Sequence, residues 1–208
     1  MKQILLSVLF LFFSCSNDEN DLSEPKVFTG DVHLLNQNKI DNLIGNFNSE
    51  IYIGYVENEE EMNRNIIKTI DEEVGENDYK TNVMAQMTKW EMWHYPGFNK
   101  LGAIFLNIVK DLGAIKKVSN VKFDMVDMWG CKYKDGDYTT LHDHWPSVWS
   151  MVYYPISQKD SLSLFFPQFK CEIKPEHGKI VIFPGHYKHQ VNKKSFEGYR
   201  YVVSANAR

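Results

Sequence analysis

The chain has 208 residues, of which 43% are hydrophobic and 14% aromatic, which suits one core plus an appendage rather than several domains. With 23 Lys+Arg against 27 Asp+Glu the formal charge is −4. No basic stripe interleaved with aromatics and no repeat period occurs, so no nucleic-acid partner is expected and solenoid architectures are set aside.

Residues 1–15 read as a lipoprotein-like signal segment: Lys2, an apolar run over 4–13, then Ser14 and Cys15. That run is too short for a spanning helix, which needs about 20 apolar residues, but it fits the hydrophobic region of an export signal. Phe12-Phe13-Ser14-Cys15 resembles a lipobox, which makes a membrane tether through lipidated Cys15 the expectation if the leader is genuine and a cytoplasmic location the alternative. Residues 16–45 are rich in Asn, Asp and Ser and read as a polar linker with at most a short strand over 27–35.

The folded domain is expected over 46–208. A strand is expected at 49–56, then a helix carrying Met62, Ile66, Ile67, Ile70 and Val74 on one face, stopped by Gly75. A second helix is expected over 97–112, with Phe98, Leu101, Ile104, Phe105, Ile108, Val109 and Leu112 on its apolar side and Gly113 ending it. From residue 121 the pattern changes to short β-branched and aromatic runs divided by turn residues, over 121–131, 138–144, 148–154, 161–166, 170–174, 179–183, 189–191 and 199–205. The fold class implied is mainly β with a helical buttress: a double-stranded β-helix, jelly-roll or cupin-like, behind two helices. Cys131 and Cys171 belong to no C-x-x-C pair, which excludes a zinc knuckle and leaves either a disulfide or two buried thiols, the latter preferred.

His142 and His144 are separated by one residue, so on an extended strand both would project from one face with Asp143 opposite. Neutral imidazoles suit iron, copper, nickel and zinc. His189, which begins a later apolar strand, is the candidate third ligand; His186, in the preceding turn, is its rival. Arg200 lies on a mostly apolar strand, where its charge needs an anion to offset desolvation: a bound carboxylate, or an internal ion pair with Glu172 or Glu197. Trp145 and Trp149 either line the mouth or belong to the core, with core the default.

Tyr133-Lys134-Asp135-Gly136-Asp137-Tyr138, His142-Asp143-His144-Trp145-Pro146-Ser147 and Ser150-Met151-Val152-Tyr153-Tyr154 together resemble a group of 2-oxoglutarate/Fe(II) oxygenases with a Gly-Asp-Tyr turn, His-x-His-Pro-x-Ser and Ser-Gly-Val-Tyr-Tyr. Pro175-Glu176-His177-Gly178 followed by Lys179-Ile180-Val181-Ile182-Phe183-Pro184 is similar to the same group's downstream segment, and the resemblance spans roughly residues 47–208. It implies a dioxygenase in which Fe(II) is held by His142, His144 and His189. The cosubstrate 2-oxoglutarate is gripped by Arg200 with help from Tyr133 and Ser204, and an unidentified small-molecule or peptide substrate is hydroxylated with release of succinate and CO2. Departures are Met151 in place of Gly, Trp145 ahead of Pro146, Val202 where the wider superfamily often has Ser or Thr, and His144 where it has Asp or Glu. Three neutral ligands leave Fe(II) with a higher net charge than two histidines and a carboxylate would. Two other readings stay open: a surface-tethered, non-catalytic jelly-roll binding module, and a three-histidine cupin-type dioxygenase that needs no cosubstrate.

Overall fold

The computed structural model describes residues 8–12, 27–28, 51–56, 59–75, 81–115, 122–157 and 162–208. Two sheets face one another. The larger contains β1 (Val8–Phe12), β2 (Val27–Phe28), β3 (Tyr52–Val56), β5 (Gln86–Met87), β6 (Met125–Tyr133), β8 (Trp149–Tyr153), β11 (Lys179–Pro184) and β13 (Arg200–Ala207), in the order β2-β1-β3-β11-β8-β13-β6-β5. The smaller contains β4 (Val83–Met84), β7 (Tyr138–His142), β9 (Leu164–Phe166), β10 (Cys171–Ile173) and β12 (His189–Val191), ordered β10-β9-β12-β7-β4. The pairings between these strands are antiparallel. This is the jelly roll the strand spacing predicted, and two helices, α1 (Glu60–Glu73) and α2 (Phe98–Ile115), buttress it.

The period of two along the central strands explains the layering. On β11, Ile180 and Ile182 join the cluster beneath the helices, whereas Val181 and Phe183 join the cluster between the sheets. A strand covered on both faces must be apolar at every position, and the run Lys-Ile-Val-Ile-Phe-Pro meets that need with the Lys179 ammonium drawn off to Glu176 at 2.6 Å. Helix α1 buries Met62, Asn63, Ile66, Thr69 and Ile70, and α2 buries Leu101, Phe105, Ile108, Val109 and Leu112, all against the outer face of the large sheet.

Boundaries differ from expectation in several places, β6 for example running over Met125–Tyr133 rather than 121–131. Helix α2 continues through Gly113 to Ile115, because glycine inside a helix costs only about 1 kcal/mol, less than the burial that the preceding turns of this helix gain. Strands β4 and β5, two residues each, and a 3₁₀ turn at Met92–His94 were not anticipated, being too short to show a period. Strand β7 stops at His142, short of the expected 144. Val8–Phe12, within the run read as the core of an export leader, lies as a strand along β3, while Cys15 and most of the linker fall outside the described residues. No helix among the described residues is long and apolar enough to cross a membrane. Cys131 is a free, buried thiol pushed up to about 12 by burial, and Cys171 is disulfide-bonded, so the two neither pair with each other nor form the expected pair of free thiols.

Truncating Phe105, which is fully buried in the helix-facing cluster, removes a ring that nothing nearby replaces. Phe105→Ala is expected to cost about 3–5 kcal/mol in urea unfolding.

Candidate metal centre and anion pocket

The two sheets diverge around a small cavity lined from both sides. The small sheet supplies His142 and Thr139 from β7, His189 and Val191 from β12, Leu164 from β9 and Val83 from β4. The large sheet supplies Trp129, Cys131 and Tyr133 from β6, Val152 from β8 and Arg200, Val202 and Ser204 from β13, each at alternate positions along its strand.

Register brings the first two imidazoles together. His142 and His189 are paired directly across the β7–β12 ladder, and their ring centroids stand 4.3 Å apart. Each ring places Nδ1 on the carbonyl two residues earlier in its own chain, His142 on Thr140 at 2.8 Å and His189 on Tyr187 at 3.0 Å. Donation from Nδ1–H to those carbonyls leaves Nε2 as the free lone pair.

His144 arrives by another route than shared strand periodicity. It lies in the turn after β7, where its backbone N–H donates to Gly185 O at 2.7 Å and its carbonyl accepts from Ser147 N–H at 2.8 Å. Gly185 N–H in turn donates to Val148 O, and Val148 N–H to Ala207 O. The two turns approach so closely that a Cβ on Gly185 would stand 2.2 Å from the Ser147 carbonyl oxygen, which is why glycine is needed there. Asp143 is turned aside: its Oδ1 accepts from the Trp145 backbone N–H at 3.2 Å and is no part of the ligand cluster.

The result is one potential ligand atom from each of His142, His144 and His189, all within 4.8 Å of one another. The His144 ring is 4.9 Å from that of His142 and 5.0 Å from that of His189. Burial, reinforced by the neighbouring rings, holds His144 well below 6.5 and His189 at about 3, and burial alone lowers His142. All three are therefore neutral near pH 7, the form that ligates. His186 is exposed against the Tyr187 ring and outside the cluster, whereas His189 lies within it.

Arg200 is 2% exposed, yet its Nε and Nη1 have no hydrogen-bond partner. Pairing on β13–β6 sets it opposite Tyr133, with the guanidinium carbon 4.6 Å from that ring and 5.4 Å from the Tyr154 ring. The faces of two aromatic rings stabilise a cation but leave its in-plane N–H groups unused. Tyr133 is itself buried, its hydroxyl 2.7 Å from Thr139 Oγ1, and burial raises its pKa; Ser204 lines the same cavity one turn of the pleat from Val202. A buried charge left uncompensated is costly, so the geometry calls for an anion at this end of the cavity.

Of the two tryptophans weighed for the mouth, Trp149 is core, 4% exposed and edge-on to Tyr52, whereas Trp145 is 75% exposed beside His144. Sequence reasoning missed Trp129, whose ring is 5.8 Å from that of His144, and Asn206, whose Nδ2 is 3.4 Å from His144 Nδ1. Its signal was present but faint: Asn206 interrupts an otherwise apolar strand six residues after Arg200.

No family model matches the chain and no curated protein matches it by sequence. Similar solved structures exist. A prolyl-4-hydroxylase from Pseudomonas putida shares the fold at a TM-score of 0.59 and 13% identity, over 83% of this chain and 97% of that one. A viral collagen prolyl hydroxylase from Paramecium Bursaria Chlorella virus-1, solved as a 2OG complex, gives 0.50 and 17% over 84% and 91%. A truncated form of the viral enzyme gives 0.52 and 14% over 72% and 84%. At these identities the likeness is one of fold.

Two outcomes follow from the centre's geometry. His189→Ala is expected to abolish Fe(II) uptake in anaerobic titration and His186→Ala to leave it intact. Because the three folded-state imidazoles sit below 6.5, the unfolded chain binds more protons than the folded one on the acid side of that value, so stability falls as pH drops. The Tm of metal-free protein should decline from pH 7.5 to 5, and a triple substitution of His142, His144 and His189 by Gln should flatten that decline.

Proposed function

We propose that this chain is an Fe(II)- and 2-oxoglutarate-dependent oxygenase that hydroxylates a substrate carbon, with His142, His144 and His189 as the metal ligands and Arg200 as the cosubstrate's anchor. The observation that carries the reading is the coexistence, in one cavity, of three converging neutral imidazoles and a buried arginine with two unpartnered nitrogens. The donor set fits the metal: three imidazole nitrogens on one side leave the opposite positions open, as a centre that must bind both cosubstrate and oxygen requires. When bound, iron with 2-oxoglutarate supplies oxidative power that no side chain here possesses.

The chain's own residues do the rest. Arg200 offers its open N–H groups to a carboxylate, and its seat against the Tyr133 and Tyr154 rings fixes where that carboxylate lies before binding. Val83, Val152, Leu164, Val191 and Val202 make the wall between the anion end and the imidazole end apolar, which excludes water and suits a short methylene chain. Tyr133 and Ser204 add hydroxyls at the cavity wall. The similar solved structures, prolyl hydroxylases including one in complex with 2OG, support the same reaction class.

One feature favours a second reading, a three-histidine dioxygenase without cosubstrate. His144 stands where a carboxylate ligand would be found, and the neighbouring Asp143 is engaged with the Trp145 backbone, which leaves the set all-imidazole. Anaerobic addition of 2-oxoglutarate to the Fe(II)-loaded protein separates the readings. The oxygenase proposed here should develop a metal-to-ligand charge-transfer band, and Arg200→Gln should weaken 2-oxoglutarate binding about 100-fold, the loss of two charge-assisted hydrogen bonds. Iron binding with no such band supports the second reading, and no metal uptake at all supports a non-catalytic binding module.

A further inference from the structure

The three imidazoles are not oriented alike. His142 and His189 rest Nδ1 on a carbonyl two residues back, which fixes the tautomer a metal needs. His144, beyond the end of its strand, instead has Nδ1 3.4 Å from Nδ2 of Asn206. That amide is pinned at both ends: its Oδ1 accepts from Ser150 Oγ at 2.7 Å, and its Nδ2 donates to Asp127 Oδ1 at 2.7 Å. Ser150 and Asn206 are 1% and 3% exposed, so water is not available to substitute for a wrong partner.

An amide N–H facing Nδ1 makes that nitrogen an acceptor and leaves the ring's own proton on Nε2, the atom an ion requires. A half-turn of the Asn206 side chain about its last torsion exchanges oxygen and nitrogen with almost no change of shape. We propose that Asn206 is the positioning residue for the third ligand: turned so that Oδ1 accepts from His144 Nδ1–H, it selects the tautomer whose Nε2 is free to bind metal. The proposal rests on the reading of the three histidines as a metal centre.

The hydrogen bonds around the turned amide still balance. Nδ2 then donates to Ser150 Oγ, and Asp127 donates a proton to Oδ1 where before it accepted one. Burial already pushes the Asp127 carboxyl up to about 6, which brings its protonated form within reach of neutral pH. One proton is taken up from solvent at Asp127, and the imidazole proton moves from Nε2 to Nδ1 with no change in its charge.

Co(II) binding to the full chain is the test, read as a dissociation constant and as the d–d absorption of the bound ion, with the Tm of metal-free protein as the folding control. Asn206→Leu, which can neither donate nor accept, is expected to weaken Co(II) binding 10–100-fold and to move the d–d spectrum to that of His144→Ala. Asp127→Asn, whose amide can donate toward Asn206 at any pH, is expected to bind Co(II) within threefold of wild type or more tightly. A loss smaller than tenfold in Asn206→Leu overturns the proposal, and so does an Asp127→Asn affinity more than threefold weaker than wild type. Should Asn206→Leu fail to fold, the Asp127→Asn arm decides alone. Failure of the unaltered chain to take up Co(II) overturns the metal-centre reading itself, an outcome distinct from the others.

Discussion

The antiparallel register of β7 against β12 is the constraint on which the centre depends. Because His142 and His189 occupy directly opposed positions, their rings meet whenever the small sheet forms, without help from any loop. A slip of one residue would turn one of them out of the cavity and leave its ring on the far face. The third ring has no such guarantee. Its place is set by a chain of backbone hydrogen bonds that ties the turn after β7 to Gly185 and, through Val148, to the last residues of β13. Two ligands are thus fixed by a ladder and one by a strapped turn, and the strap works because Gly185 lets two backbones approach more closely than any side chain would permit.

The division of labour between the faces of the large sheet serves this arrangement. Its outer face is closed by α1 and α2 over a continuous apolar cluster, which anchors the central strands β8, β11 and β13. Its inner face can then carry what a core would not ordinarily tolerate, an arginine with open donor groups and a free thiol, facing the imidazoles of the small sheet and its turn. Burial is what keeps those imidazoles neutral, and the same burial makes Arg200 demand an anion. Both ends of the cavity are therefore poised toward ligands by one physical cause, the withdrawal of polar groups from water without full internal compensation.

Much of this was legible from residue order. The switch from a period near 3.6 to a period of two after residue 121 marked helices followed by a β-rich domain, and turn residues such as Gly136, with φ of +79°, divided the strands near their observed ends. His142, His144, His189 and Arg200 stood out because polar side chains interrupting apolar strands need a reason. Strand periodicity does not join His142 and His144, because β7 ends two residues before His144. The two were brought together by the turn instead. Trp149 also illustrates the limit: nothing in its local sequence distinguishes it from Trp145, yet one is core and the other 75% exposed.

Sequence alone determined the types of element, their order and the identity of the chemically active side chains, because those follow from side-chain character and from spacing along a single chain. Tertiary structure decided which of them meet. The register that opposes His142 to His189 and the Ser150–Asn206–Asp127 chain behind His144 are contacts between segments distant in sequence. Such contacts are fixed by hydrogen-bond ladders and close packing across the fold, and no pattern within one strand encodes them.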